Sequence, residues 1–428
     1  MTSRPPRTPE TPPTPGTPRT PARPPSPGAL DEVRRARIAL GHLVEPGRRD
    51  LGELVRAVGP VEALDRLKAG AVPKALRAVT SPRLSTMDLD RFVDRALEQA
   101  ARIGTRVITP EDAEWPAQLE DLVAISRPGS DPIDRDTDPP HCLWLRGPCS
   151  LAQACDRSVA LVGARANTPY GEHIAGDLAY GLAGRGWTVV SGGAFGIDAA
   201  AHRGALGASG TTVAVLACGI DRPYPNAHRL LFDRIAQTGL LLSEWPLGAE
   251  PHRHRFLVRN RVIAALTCGT VLVEANLRSG ARFTLNRARD LNRTVMAVPG
   301  PVTSALSQGV HEELRKPENN TVLVTGVEHV LEAVGRIGLD LAPVARAEPT
   351  ARDALTVVER QVLDGVRPRK LLTAEEIAAA VGVSPRDARR ALPVLVAGRF
   401  VTAQGAGYRL WRRSDEPKPP VRGRKVDR

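Results

Sequence analysis

Long apolar runs are missing from this 428-residue sequence. None approaches the ~20 residues that a membrane-crossing helix needs, and the longest, Val213–Cys218, has the length of a strand. The opening stretch, MTSRPPRTPETPPTPG, carries no apolar segment of the kind a secretory signal requires. The expectation is a soluble, cytoplasmic protein with no membrane partner. Aromatic residues are scarce at 4%, and of the 59 basic residues only 6 are lysine. Hydrophobic residues still make up 42%, enough for at least one large core, so wholesale disorder is excluded.

Paired cysteine motifs are also absent. The five cysteines form no CxxC pair, and their odd number in a large chain argues for reduced thiols. His141, Cys142, Cys149 and Cys155 match no common zinc spacing, so no metal is expected. There is no Walker loop, and the glycines do not follow the G-x-G-x-x-G dinucleotide pattern. No Ser–His–Asp or Cys–His arrangement falls at the loops described below. These absences predict a binding protein without cofactor rather than an enzyme.

The net charge is +12. Residues 1–28 hold four Arg and one Glu, a balance of +3, and residues 412–428 hold seven basic and three acidic residues, a balance of +4. Only +5 remains for residues 29–411, so a polyanion site must be a local patch rather than a property of the whole surface. Arginine suits phosphate through its planar fork. A codon bias toward Arg, Ala, Gly and Pro would give the same Arg-to-Lys ratio.

Composition divides the chain. Residues 1–28 contain eleven prolines and read as a solvated, disordered tail. Residues 29–105 read as a small helical domain, with helices over about Asp31–Leu43, Leu51–Val58, Val61–Leu67 and Asp88–Ile103. Residues 106–143 read as a connector with a polar loop at 127–140. From 144 to 335, short β-branched runs alternate with helix-length segments. The strands are Val159–Val162, Thr188–Ser191, Thr212–Ala217, Leu240–Ser243, Thr270–Glu274, Thr294–Val298 and Val322–Thr325. This alternation predicts an α/β fold, an extended Rossmann-like, doubly wound parallel sheet. Residues 336–352 read as a linker and 412–428 as a basic disordered tail. Between them, 353–411 reads as three helices and a hairpin, a C-terminal winged-helix domain. Pro393 is expected to kink its third helix.

Ligands of open parallel sheets bind beyond the carboxyl ends of the strands. After the first strand, Gly163 and Arg165 precede Thr168-Pro169, the cap and first residue of a helix whose free amides suit an anion. After the second, Ser191, Gly192 and Gly193 allow close backbone approach to a phosphate. The run HRHRFLVRNR at 252–261 is the densest basic segment of the folded part. Arg255, Arg259 and Arg261 could meet a polyanion near the start of a helix, and Phe256 could stack on a base. Ser279 and Gly280 open another helix at a strand end. Glu274 is better suited to accept hydrogen bonds from neighbouring loops, or to pair with Arg, than to act as a base.

In this order, Val162-Gly163-Ala164-Arg165, Ser191-Gly192-Gly193, Gly196-Ile197-Asp198-Ala199-Ala200-Ala201-His202, Arg259-Asn260-Arg261, Val273-Glu274-Ala275, Arg278-Ser279-Gly280-Ala281 and Ala297-Val298-Pro299-Gly300 resemble the DNA-processing protein A family (DprA, also called Smf). The resemblance spans about Trp144–Val334. It implies a non-enzymatic protein that binds single-stranded DNA with little sequence specificity, protects incoming DNA, and helps load a RecA-type recombinase in natural transformation or homologous recombination. It further implies a homodimer formed through the Rossmann-like domain. Arg165 then looks like a phosphate clamp, Ser191, Gly192 and Gly193 like part of the DNA-facing pocket, and Phe256, Arg259, Asn260 and Arg261 like its basic lining. Many members carry Arg where Phe195 stands and Pro where Leu257 stands.

Two other readings fit parts of the sequence. One is a nucleotide phosphoribohydrolase of the lysine-decarboxylase-like group, with Glu274 in catalysis. Its P-G-G-x-G-T-x-x-E pattern keeps the glycines in one loop, whereas here Gly192-Gly193 and Gly269-Thr270 lie far apart. The other is a duplex-DNA-binding regulator acting through Leu355–Trp411.

Overall fold

The computed structural model describes residues 27–125, 137–336 and 350–412. The two tails, most of the 127–140 loop and most of the 336–352 linker fall outside the described residues. Two compact units result, one up to residue 336 and one from residue 350.

In the first unit, seven apolar segments pair in parallel because helix-length crossovers join them. They are β3 (Ser158–Val162), β4 (Thr188–Ser191), β5 (Thr212–Leu216), β6 (Leu240–Ser243), β7 (Gly269–Leu272), β8 (Thr294–Ala297) and β9 (Val322–Leu323). Two further strands, β1 (Thr105–Ile108) and β2 (Leu143–Arg146), extend the sheet antiparallel beyond β6. The order is β1-β2-β6-β5-β4-β3-β7-β8-β9. The sheet is therefore mostly, not wholly, parallel, and the stretch read as a connector begins inside an edge strand. The order reverses at β3, which has β4 on one side and β7 on the other. A crevice opens there at the carboxyl ends of the strands.

Strand pleating sends alternate residues into two different cores. Ala160 and Val162 of β3 face a cluster with Ile263, Leu266, Leu285 and Ala288, from the helices Arg253–Ala265 and Ala281–Asp290 and the turn between helix and strand. Val159 and Leu161 face the opposite cluster with Leu178, Leu182, Ile197 and Ala201, from Pro169–Gly184 and Ile197–Gly207.

The N-terminal helices are Pro27–Leu43, Arg49–Val58, Pro60–Lys68, Lys74–Thr86 and Leu89–Arg102. Asp88 caps the last, accepting the Arg91 amide at 3.1 Å, and Leu89, Val93, Ala96 and Ala100 form its buried stripe. Periodicity did not suggest Lys74–Thr86, which carries Pro82 within it and buries only Leu76 and Thr80. These helices do not enclose a core of their own. Leu40, Leu43 and Leu51 share one cluster with Trp144, Leu216, Phe232 and Leu241 of the sheet region.

The second unit contains helices Val357–Gly365, Ala374–Val381 and Pro385–Ala397, then the hairpin of β10 (Val401–Gln404) and β11 (Gly407–Leu410). These are the elements expected of a winged helix, in the expected order. Thr356 with Glu359, and Thr373 with Glu376, form reciprocal capping boxes, and Ser384 caps the third helix. That helix runs unbroken through Pro393.

Candidate functional site

A pocket of about 370 Å³ opens where the strand order reverses. Its lining comes from the loop after β3 (Gly163, Arg165), the loop after β4 (Ala194), the first turns of Arg253–Ala265, and the loop and helix after β7 (Arg278, Ser279, Gly280, Phe283).

The strand-end loops are folded around carboxylates of the protein itself. Glu274, 1% exposed, accepts the Thr168 amide at 2.9 Å and the Thr168 hydroxyl at 2.5 Å. Gly171 permits this approach, since a Cβ there would collide with the Glu274 carboxyl group. Asp198 accepts the amides of Gly192 at 3.2 Å and Ala194 at 3.3 Å. Burial pushes the Asp198 carboxyl up, opposed by the Arg259 charge and by these two amides. The Ser191 hydroxyl is fully buried and donates to the Leu161 carbonyl at 2.7 Å. Gly193 has φ +69°, packs on the Phe232 ring, and accepts a hydrogen bond from His228 through its carbonyl.

Ser191 and Gly192, read as allowing close approach to a phosphate, are instead committed inside the protein, and buried Gly193 is not among the residues lining the pocket. A carboxylate six residues away satisfies the anion-binding geometry of the loop. Gly163 also serves packing, for a Cβ there would strike Ile197. The amides of Arg165, Ala166, Asn167 and Gly280 have no acceptor among the described residues.

The basic helix runs from Arg253 to Ala265. Arg253, Phe256, Leu257 and Asn260, at spacings of three and four, consequently face the pocket. Arg255 points the other way. It donates to Glu45, in the loop between the first two N-terminal helices, at 2.6 and 3.1 Å, while the Trp245 indole donates to the same carboxylate at 3.2 Å. Arg261, 1% exposed, makes a two-pronged pair with buried Glu244 at 2.7 and 2.8 Å. Arg255 and Arg261 are therefore placed outside the pocket and neutralised, which corrects their reading as polyanion contacts.

Arg259 lies at the pocket floor, 4% exposed. Its guanidinium spans the space a side chain at 192 would fill and donates to the Val215 carbonyl. Burial lowers its pKa to about 10, with Asp198 acting upward and Arg165 downward. Asn260 is buried, its amide 3.5 Å from the Gly280 carbonyl.

Three pocket cations remain exposed: Arg165, Arg253 and Arg278. None forms an ion pair with a carboxylate among the described residues. Arg165 lies over the Phe256 ring, 4.9 Å from its centroid, and Tyr224 meets that ring edge-on at 5.8 Å. Arg253 and Arg278 were not singled out as site residues, although a helix drawn from Arg253 would have marked the first. Among the described residues, no group of three or more His, Cys, Asp or Glu could hold a metal ion.

The sequence profile of the family described as DNA recombination-mediator protein A matches residues 106–335. A relative in Mycobacterium tuberculosis, the putative DNA processing protein DprA, is 45% identical over 388 residues, covering 90% of this chain and 96% of the relative. The DNA processing protein DprA of Streptococcus pneumoniae is 38% identical over 194 residues, 45% of this chain and 67% of that protein. The X-ray structure of the Streptococcus pneumoniae protein superposes with a TM-score of 0.57 at 28% identity, covering 72% of this chain and 97% of that one.

Proposed function

This chain belongs to the DNA recombination-mediator protein A family, a family of DNA-processing proteins, and on that premise we propose that it binds single-stranded DNA with little base specificity. In this reading it protects incoming DNA and helps load a RecA-type recombinase, in natural transformation or in general recombination. It works as a homodimer in the cytoplasm and by binding alone, without catalysis or cofactor.

The observation that carries the reading is the trio of exposed guanidinium groups, Arg165, Arg253 and Arg278, around one pocket that also holds Phe256. Three cations without carboxylate partners suit a chain of phosphates, and the ring suits a base that has left its duplex. Phosphates meet side chains at the rim, together with the open amides of residues 165–167 and 280, rather than the glycine loop. Because guanidinium groups read charge and not base edges, affinity is similar across base compositions. Glu274, buried and committed to Thr168, has no free geometry for a base in hydrolysis, so the phosphoribohydrolase reading gains nothing.

Titration of the full chain with single-stranded and duplex DNA of equal length tests this. Tighter binding of the single strand, falling steeply with salt, is expected. Equal affinity for the duplex, or affinity insensitive to salt, would overturn it. Arg386, Arg389 and Arg390 are exposed on the second unit. Their joint replacement by Ala leaves single-strand affinity unchanged if the pocket is the binding site.

A further inference from the structure

We propose that Phe283 is a nucleobase-stacking residue, a second aromatic wall of the pocket besides Phe256. The inference rests on the single-strand reading above and adds to it a specific contact with a base.

Helix periodicity supplies the first argument. In Ala281–Asp290 the buried positions are Thr284, Leu285, Arg287 and Ala288. Phe283 stands about 200° around the axis from Leu285 and about 40° from Arg287, at the border between the buried and the outward side. It is 39% exposed, and core packing does not call for an apolar ring there. Leaving aromatic surface in water is unfavourable in the free protein, so its position points to a partner that covers it.

The second argument is company. Only six phenylalanines occur in the chain, and two of them, Phe256 and Phe283, line this one pocket. Exposed Arg165, Arg253 and Arg278 surround them. A ligand complementary to this surface carries repeated negative charge and flat apolar rings in alternation. An unpaired polynucleotide has that chemistry, whereas a duplex hides its rings inside the stack.

The third argument is availability. One face of Phe256 already carries the Arg165 guanidinium, and Tyr224 sits against its edge. Among the described residues, no ring or guanidinium stacks on Phe283. In the unliganded protein the exposed part of Phe283 is therefore available to a base with no resident ring or guanidinium to displace.

The test uses the full chain with two probes of equal length and charge, an oligothymidylate and an abasic strand. Phe283→Ala is expected to weaken oligothymidylate binding roughly tenfold and to leave the abasic strand within about twofold. Phe283→Leu, which keeps apolar bulk and removes the π-face, should resemble the Ala variant, and Phe283→Tyr should resemble the wild type. Equal losses on both strands, or no loss on oligothymidylate, would overturn the assignment while the single-strand reading stood. A wild-type protein that bound neither strand would overturn both.

Discussion

The Arg165 guanidinium lies over the Phe256 ring, 4.9 Å from its centroid. The cation expected to meet phosphate and the ring expected to meet a base thus cover each other in the free protein. A cation on a half-exposed ring face is held by about 0.5–1 kcal/mol. That is weak enough for the arginine to swing outward when a strand arrives.

Arg165→Ala therefore removes a phosphate partner and uncovers a stacking surface. Single-strand affinity should fall roughly three- to tenfold at low salt, equally for all base compositions. The slope of log affinity against log salt should become shallower by about 0.7. Equilibrium titrations at several salt concentrations check both numbers.

Arg253 and Arg261 lie on one helix and should behave oppositely. Arg261→Ala leaves Glu244 as an uncompensated buried charge and should cost about 3–5 kcal/mol of stability, while the folded fraction keeps its affinity. Arg253→Ala should leave the denaturation midpoint unchanged and weaken DNA binding. Urea unfolding together with binding titrations on each variant separates the two roles.

Gly192→Ala puts a methyl group into the space occupied by the Arg259 guanidinium. The arginine must then leave the Val215 carbonyl. Overpacking of this kind should cost about 1–3 kcal/mol, read from denaturant unfolding.

His202 is fully buried, with its Nδ1 2.7 Å from the Thr212 hydroxyl. That hydroxyl donates to the Val189 carbonyl, so the imidazole must be the donor in the His202–Thr212 bond. Burial lowers its pKa from 6.5 to about 3. The unfolded chain takes up this proton first, so stability should fall as pH drops below about 6.5, by up to about 1.4 kcal/mol per pH unit, and the effect should level off near pH 3. His202→Asn should flatten this part of the curve, as seen in thermal unfolding across that range.

The parallel strands were legible because each is a short, largely apolar run set off by helix-length segments. β4 and β6 begin and end where the residues suggested. The antiparallel strands β1 and β2 were harder to read. They are four residues each and flank a polar segment that masks their pairing. At the site, residue types were legible but their directions were not. Arg255 and Arg261 look as available as Arg253 in a run of basic letters. What distinguishes them is a carboxylate far away in sequence (Glu45) and one on a preceding strand end (Glu244), and periodicity reports neither. Glu274 was legible as an acceptor for neighbouring loops, whereas nothing in the spacing marked Asp198 as the anion held by the loop after β4.

Those two internal carboxylates shape how selectivity can arise. Inorganic phosphate and mononucleotides present one compact anionic head, and the amides of Thr168, Gly192 and Ala194 at the strand-end loops are already taken. The exposed guanidinium groups come from three separate segments around the pocket, the loop after β3, the start of the basic helix and the loop after β7. A polymer engages several together, so each added contact benefits from the high local concentration set by the last. On the single-strand reading proposed above, a surface built this way favours length over identity, and a long strand should outcompete a large excess of its own monomers.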